Sequence, residues 1–304
     1  MTTNLTVYKS NQVVEASYKL SLNEQRVILA CIGQVDSKEK LLVTDKFELS
    51  AKDFAKLFSV SEDRAYHALI EVTDSLFNRY LVIENPFFDD PSIHKLKTRW
   101  ISSIYYRTEL GKIVLCFAHE ILPYLSELKG SFTKYELKYI GNMTSIYGIR
   151  LYELLMQWKN TGKREIEIDW LKKQFELDAS YERMFDLKKR VIDPAIKDIN
   201  EHSNFTISWT QRKTGRKVTH LTFEFSEKKI ENTKDKNTSD IFHGLTDKQI
   251  DLFSSKLASD SEFGSKYAKI GEEMNAFTQR IKQELKDPEK QQFYLSYLKK
   301  LGLK

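Results

Sequence analysis

The sequence is poor in the residues that break a chain or staple it. Its 304 residues include five prolines, eleven glycines and two cysteines. So few breakers beside 30% charged residues point to a helix-rich, compact chain. Cys31 and Cys116 lie among apolar neighbours and read as reduced core thiols, because free cysteine is among the most buried residue types. There is no Cys-x-x-Cys, so neither a zinc ribbon nor a redox pair is indicated. The first residues lack the charged-then-apolar plan of a signal peptide, and no apolar run approaches membrane-spanning length. The expectation is a cytoplasmic protein with no membrane partner.

Catalytic signatures are missing as well. Thr161-Gly162-Lys163-Arg164 lacks both the first glycine and the hydroxyl residue of a phosphate-binding loop. The six histidines, at 67, 94, 119, 202, 220 and 243, are far apart, and no His-x-His pair is available to hold a metal beside a nicking tyrosine. Asp89-Asp90 reads as a loop rather than a metal site. The expectation is a protein that is not an enzyme, with no catalytic residue, metal or cofactor.

What is present is a plan that occurs twice. Ser21 and Glu24 form a Ser-x-x-Glu capping box that opens a helix over 22–32. A short strand at 47–49 is followed by a helix over 51–58 capped by Ser50, a tight turn at 59–61, and a longer helix over 62–78 capped by Ser61. In that helix Tyr66, Leu69, Thr73, Leu76 and Phe77 point inward. Strands follow at 80–84, 97–107 and 113–117. This order of strand, helix, turn, helix, strand, wing and strand is the plan of a winged helix. A helix-forming connection through 120–128 leads to a long amphipathic helix over 145–159, with Tyr147, Leu151, Leu154, Leu155 and Trp158 as its buried stripe.

The plan then recurs. A strand at 165–168 precedes a short helix over 170–175 capped by Asp169, and a turn covers 176–180. A longer helix over 181–200 follows, with Phe185, Ile192, Ile196 and Ile199 inward. A strand at 205–209, a basic turn at 210–217 and a returning strand at 218–225 complete it. Pro194 lies inside the longer helix and predicts a kink or local irregularity near 190–194, since proline removes a hydrogen bond and clashes with the preceding turn. Such a kink aims the first half of the helix or serves packing. Residues 227–240 are polar and read as a linker. From 245 onward three apolar stripes, Ile250–Leu257, Phe263–Leu285 (through Tyr267, Ile270, Phe277 and Ile281) and Phe293–Leu301, read as a small helical appendage. The fold class is α+β: two tandem winged-helix domains with small antiparallel wings plus a C-terminal helical appendage. The expected divisions are 1–130, 131–226, a linker at 227–244, and 245–304.

Net charge is only +5, so its placement matters more than its size. The longer helix of the first copy carries Glu62, Asp63, Glu71 and Asp74 against Arg64, which would repel phosphates. In the second copy Arg183, Lys188, Lys189 and Arg190 crowd the start of the helix, and Arg212, Lys213, Arg216 and Lys217 make a turn without an acid. A basic helix start beside a basic wing is the footprint of major-groove docking with flanking phosphate or minor-groove contact. Those eight residues are the expected DNA-binding set, and the second copy is expected to supply most of the affinity for double-stranded DNA. The first copy is expected to be mainly a protein-contact domain with accessory backbone contact.

Four stretches carry a resemblance: YKSNQVVEASYKLSLNEQRVIL at 8–29, SIYGIRLYELL at 145–155, FDLKKRVIDPAIKDIN at 185–200 and KTGRKVTHLTFEF at 213–225. In this order they resemble the initiators of iteron-containing, theta-replicating plasmids of bacteria. The likeness covers residues 4–226, and no family motif matches the region after Glu227. The resemblance implies monomers that bind iterons at an origin, help melt an A·T-rich segment and recruit a host initiator and helicase. It also implies dimers, joined through the first domain, that bind an operator inverted repeat and repress their own gene, with chaperones favouring the monomer. Base reading would fall to the first half of the helix over 181–200, with the turn at 212–217 on backbone or minor groove. A winged-helix transcriptional repressor without an origin role shares the same contact physics. A nicking relaxase is the third reading.

Overall fold

The capping box read at Ser21 forms as expected: its hydroxyl accepts the Glu24 N–H at 3.3 Å and the Glu24 carboxylate accepts the Ser21 N–H at 2.6 Å. Caps of this kind are worth about 0.5–2 kcal/mol. A computed structural model describes residues 5–86, 92–128, 130–228, 245–269 and 271–303. The chain divides into two units, Met1–Lys229 and Ile230–Lys304. The expected linker from 229 onward, the Asp89-Asp90 loop and Ile270 lie outside the described residues.

The first unit runs β1 (Thr6–Ser10), α1 (Asn11–Val14), α2 (Leu22–Ile32), β2 (Phe47–Ser50), α3 (Ala51–Phe58), α4 (Glu62–Leu76), β3 (Tyr80–Glu84), β4 (Lys95–Arg99), β5 (Ile101–Arg107), β6 (Lys112–Phe117) and β7 (Phe132–Glu136). It continues with α5 (Ile146–Met156), β8 (Lys163–Glu167), α6 (Ile168–Gln174), α7 (Met184–Leu187), α8 (Asp193–His202), β9 (Phe205–Thr214) and β10 (Lys217–Glu227). The repeat is topological. One sheet has the order β2-β6-β5 and another β8-β10-β9, so in each the last strand lies between the first and the middle one. Two helices follow the first strand in each copy. These are two tandem winged helices.

Several local readings change. The strand expected at 97–107 breaks at Trp100, which is fully buried; β4 pairs with β3 in a separate hairpin, while β5 pairs with β6. The connection after β6 is a short 3-10 turn, His119–Tyr124, followed by β7, which pairs with β1 so that Val7 faces Tyr135. The helix expected over 145–159 ends at Met156. Its stretch Gly148–Met156 is buried all round, and Trp158 is half-exposed rather than part of a buried stripe. Asp169 does not cap α6, whose N-cap is Glu167.

A helix without a polar face needs partners on every side, and α5 has them in both copies. Arg150 donates to the carbonyl of Ala16 at 2.8 Å and lies 3.4 Å from the centre of the Tyr18 ring. Asp198 of α8 accepts the N–H groups of Thr144 and Ser145 at 3.0 and 2.9 Å, capping the start of α5. Glu153 accepts from Lys9 at 2.5 Å and from the Tyr135 hydroxyl at 2.6 Å, all buried. One hydrophobic core runs from Leu5 to Phe225 through both winged helices. Cys31 and Cys116 are buried in this unit, and burial pushes the Cys31 thiol up.

Among its described residues the second unit has five helices: α9 (Asp247–Ser259), α10 (Ser261–Tyr267), α11 (Met274–Glu284), α12 (Pro288–Phe293) and α13 (Leu295–Lys300). Ile250, Phe253, Leu257, Phe263, Phe277, Ile281, Leu285, Tyr294 and Leu298 form its own core, whereas Phe293, expected in a stripe, is exposed. No helix among the described residues is long and apolar enough to cross a membrane.

Candidate nucleic-acid interface

The longer helix of the second copy, expected over 181–200, is three pieces joined end to end. Residues 179–181 form a 3-10 turn, with Asp178 accepting the Ser180 N–H at 2.8 Å, so the helix begins at Met184 rather than at 181. Residues Lys188–Ile192 form a π-turn, and α8 completes the helix. Pro194 accounts for the π-turn. Its nitrogen has no hydrogen to give the Arg190 carbonyl, and its ring crowds that carbonyl. The turn widens instead, and the Asp193 N–H bonds five residues back to the Lys188 carbonyl.

This widening re-phases everything before it. From the end of the turn onward the inward set is Ile192, Ala195, Ile196, Asp198 and Ile199; ahead of that it is Asp186, Leu187 and Val191. A π-turn takes about one residue more than an α-turn, and each residue is worth about 100° of rotation. Phe185, in phase with Ile192 on an unbroken helix, therefore turns outward and is 66% exposed. The expectation that it faces the core is corrected.

The solvent face gathers the four helix cations. Arg183, Lys188, Lys189 and Arg190 are all exposed. Asp186, only 5% exposed beneath them, accepts from Arg183 Nε at 2.7 Å and lies 3.8 Å from Arg190. The Lys188 ammonium sits 5.5 Å from the centre of the Trp209 ring on β9, and that of Lys189 sits 5.7 Å from the Phe185 ring. Neither lysine has a carboxylate partner among the described residues.

The wing is the β9–β10 hairpin. Gly215 at its tip has φ +62°, the left-handed region that glycine enters without strain. The four wing cations are exposed but not equivalent. Arg212 forks onto Glu165 with two bonds of 2.9 Å, holding that carboxyl below its ordinary range, and Lys217 lies 3.4 Å from Asp169. Lys213 and Arg216 have no ion pair among the described residues. Sequence reading missed these two acids because they come from β8 and α6, more than forty residues before the wing.

In the first copy the solvent face of α4 carries Glu62, Asp63, Glu71 and Asp74 with Arg64, all exposed. Asp63 lies 3.7 Å from His67, and Asp74 accepts from the Tyr106 hydroxyl at 3.3 Å. The charge contrast between the two copies thus lies on the surface. Among the described residues no group of three His, Cys, Asp or Glu side chains is placed to hold a metal.

Two family profiles match the chain in tandem: "Initiator Replication protein, WH1" over residues 6–156 and "Initiator Rep protein, WH2" over residues 167–225. The chain belongs to the initiator replication protein family. The four stretches that carried the resemblance all fall inside the matched segments, and the helical unit after 229 falls outside both. A "Replication initiation protein" of Escherichia coli is 30% identical over 229 residues, which is 72% of this chain and 69% of that protein. The "PI protein" of Escherichia coli is 26% identical over 267 residues, 78% of this chain and 88% of that one. Among solved structures, the Pi initiator protein in complex with iteron DNA superposes with a TM-score of 0.64 at 25% identity, covering 75% of this chain and 99% of that one.

Proposed function

We propose that this initiator binds repeated sites, iterons, in double-stranded DNA at a plasmid origin, with its second winged helix as the gripping domain. The observation that carries the reading is the solvent-facing set Arg183, Lys188, Lys189 and Arg190 on the reading helix of the second copy, against the acidic face of α4 in the first. The exposed wing cations Lys213 and Arg216 supply phosphate or minor-groove contact, and Arg212 and Lys217 join them when DNA competes for their acids. The likeness to the Pi initiator, solved on iteron DNA, supports the same mode here.

The first domain, 1–130, serves protein contact and accessory backbone contact. The outer edge of β5, with Tyr105 and Tyr106 half-exposed, supports it as the dimer face. As a monomer the protein melts the origin and recruits the host initiator and helicase. As a dimer it binds an inverted repeat and represses its own gene, and chaperones shift the balance to monomer. It works in the cytoplasm, without catalysis of its own.

Footprinting on the DNA beside its own gene tests the reading, together with a replicon from which the gene is deleted and supplied in trans. Directly repeated protected sites and replication that depends on the supplied gene are expected. Protection confined to a promoter, with replication indifferent to the gene, would leave a repressor.

A further inference from the structure

We infer that Phe185 is a base-reading residue whose ring takes the 5-methyl edge of a thymine in the major groove. This rests on the reading of residues 184–202 as the groove-facing helix.

Phe185 is the one large hydrophobic side chain of this helix left in solvent. Leu187, Val191, Ile192, Ala195, Ile196 and Ile199 are buried, Met184 packs against the core, and Phe185 belongs to neither group. A lone exposed apolar side chain usually needs no explanation. This one lies in the first turn of α7, where a reading helix presents side chains to base edges. It is turned out by the π-turn that Pro194 forces, and cations accompany it: Arg183, two residues before it in the chain, 80% exposed and held by Asp186, and Lys189, whose ammonium lies 5.7 Å from the ring.

Those cations bring the helix start to phosphates, yet a phenyl ring has no donor for a phosphate oxygen or a polar base edge. The apolar group that a duplex offers in its major groove is the thymine methyl. Placed there, the ring leaves water against a partner that no other base pair presents, and so it contributes sequence preference rather than general affinity.

The test uses the full chain and a library of randomised duplexes. Wild-type protein and Phe185→Ala are each taken through selection. In the wild-type consensus each thymine is then replaced singly by deoxyuridine, which removes the methyl alone. One replacement is expected to weaken wild-type binding about fourfold, the value of burying one methyl group. Phe185→Ala is expected to lose at least that much on the thymine duplex and nothing more on the deoxyuridine duplex. Its salt dependence should stay unchanged, since no phosphate contact is lost. Because the ring is exposed, thermal melting should also stay unchanged.

Wild-type affinity unaffected by every replacement overturns the inference, as does a deoxyuridine penalty that persists in Phe185→Ala. Binding lost together with self-association of the protein would instead make the ring a contact between copies. A wild-type protein that selects no sequence at all defeats the parent reading, a result distinct from the others.

Discussion

Asp186 holds Arg183 from below: the carboxylate is almost wholly buried, and the guanidinium it grips through Nε at 2.7 Å is almost wholly exposed. Arg190 lies 3.8 Å from the same carboxylate, so one buried anion orients two surface cations on the longer helix of the second copy.

Replacing Asp186 by Asn keeps the shape and removes the charge. Non-specific affinity should hold or rise, because a negative charge near the phosphates is gone. Specific affinity should fall about threefold to tenfold, because Arg183 and Arg190 lose their fixed geometry. Titrations of cognate and scrambled duplex at one salt concentration check this; affinities that move together would remove the positioning role.

The wing cations should separate by their partners. Lys213→Ala and Arg216→Ala should each flatten the slope of log K against log salt by about one. Arg212→Ala should do less, since Glu165 already neutralises that arginine. Glu165→Gln frees it and should strengthen binding to every sequence. Equal slopes for all three alanine variants would mean that the bond to Glu165 does not persist in solution.

The buried pair Lys9–Glu153 ties β1 to α5. Lys9→Met leaves Glu153 without its counter-ion inside the core, and urea unfolding should register a loss of about 3–5 kcal/mol. Adding Glu153→Gln removes the stranded charge while keeping an acceptor for Tyr135, whose phenol is pushed well up by burial and by Glu153. The double variant should recover part of the loss. A double variant no more stable than Lys9→Met would show that the charge was not the problem.

In the helical unit, Arg280 bonds Glu272 at 2.7 and 2.8 Å and lowers its carboxyl to about 2. A carboxyl depressed in the folded state stabilises above its unfolded value, near 4.3, and that contribution fades as pH falls from there toward 2. All four tryptophans, at 100, 158, 170 and 209, lie in the first unit. A circular dichroism transition silent in tryptophan fluorescence therefore reports residues 245–303. The gap in its midpoint between wild type and Glu272→Gln should narrow as pH falls below about 4.3 and close only toward pH 2; a constant gap would contradict the assignment.

How much of this was legible depended on distance along the chain. Ser21 and Glu24 are three residues apart, and the helix stripes repeat within a few turns, so caps, helices and the doubled plan could be read directly. The pairing of Val7 with Tyr135 and the fork from Arg212 to Glu165 join residues far apart, and nothing local announces them. Phe185 lies between these cases. Pro194 signalled an irregularity, but the inward stripe was carried through it as if the helix were unbroken. A π-turn shifts phase, so the apolar residue before it moved to the surface.

The central claim is an asymmetry of charge between two copies of one fold, and charge reversal tests it most directly. The affinity of the full chain for duplex from beside its own gene should be measured at one moderate salt concentration for Lys189→Glu on the reading helix of the second copy and for Arg64→Glu on α4 of the first. The account predicts a fall of more than about tenfold for Lys189→Glu and a change within about twofold for Arg64→Glu. Unchanged binding by Lys189→Glu, with binding lost in Arg64→Glu, would place the duplex on the other domain.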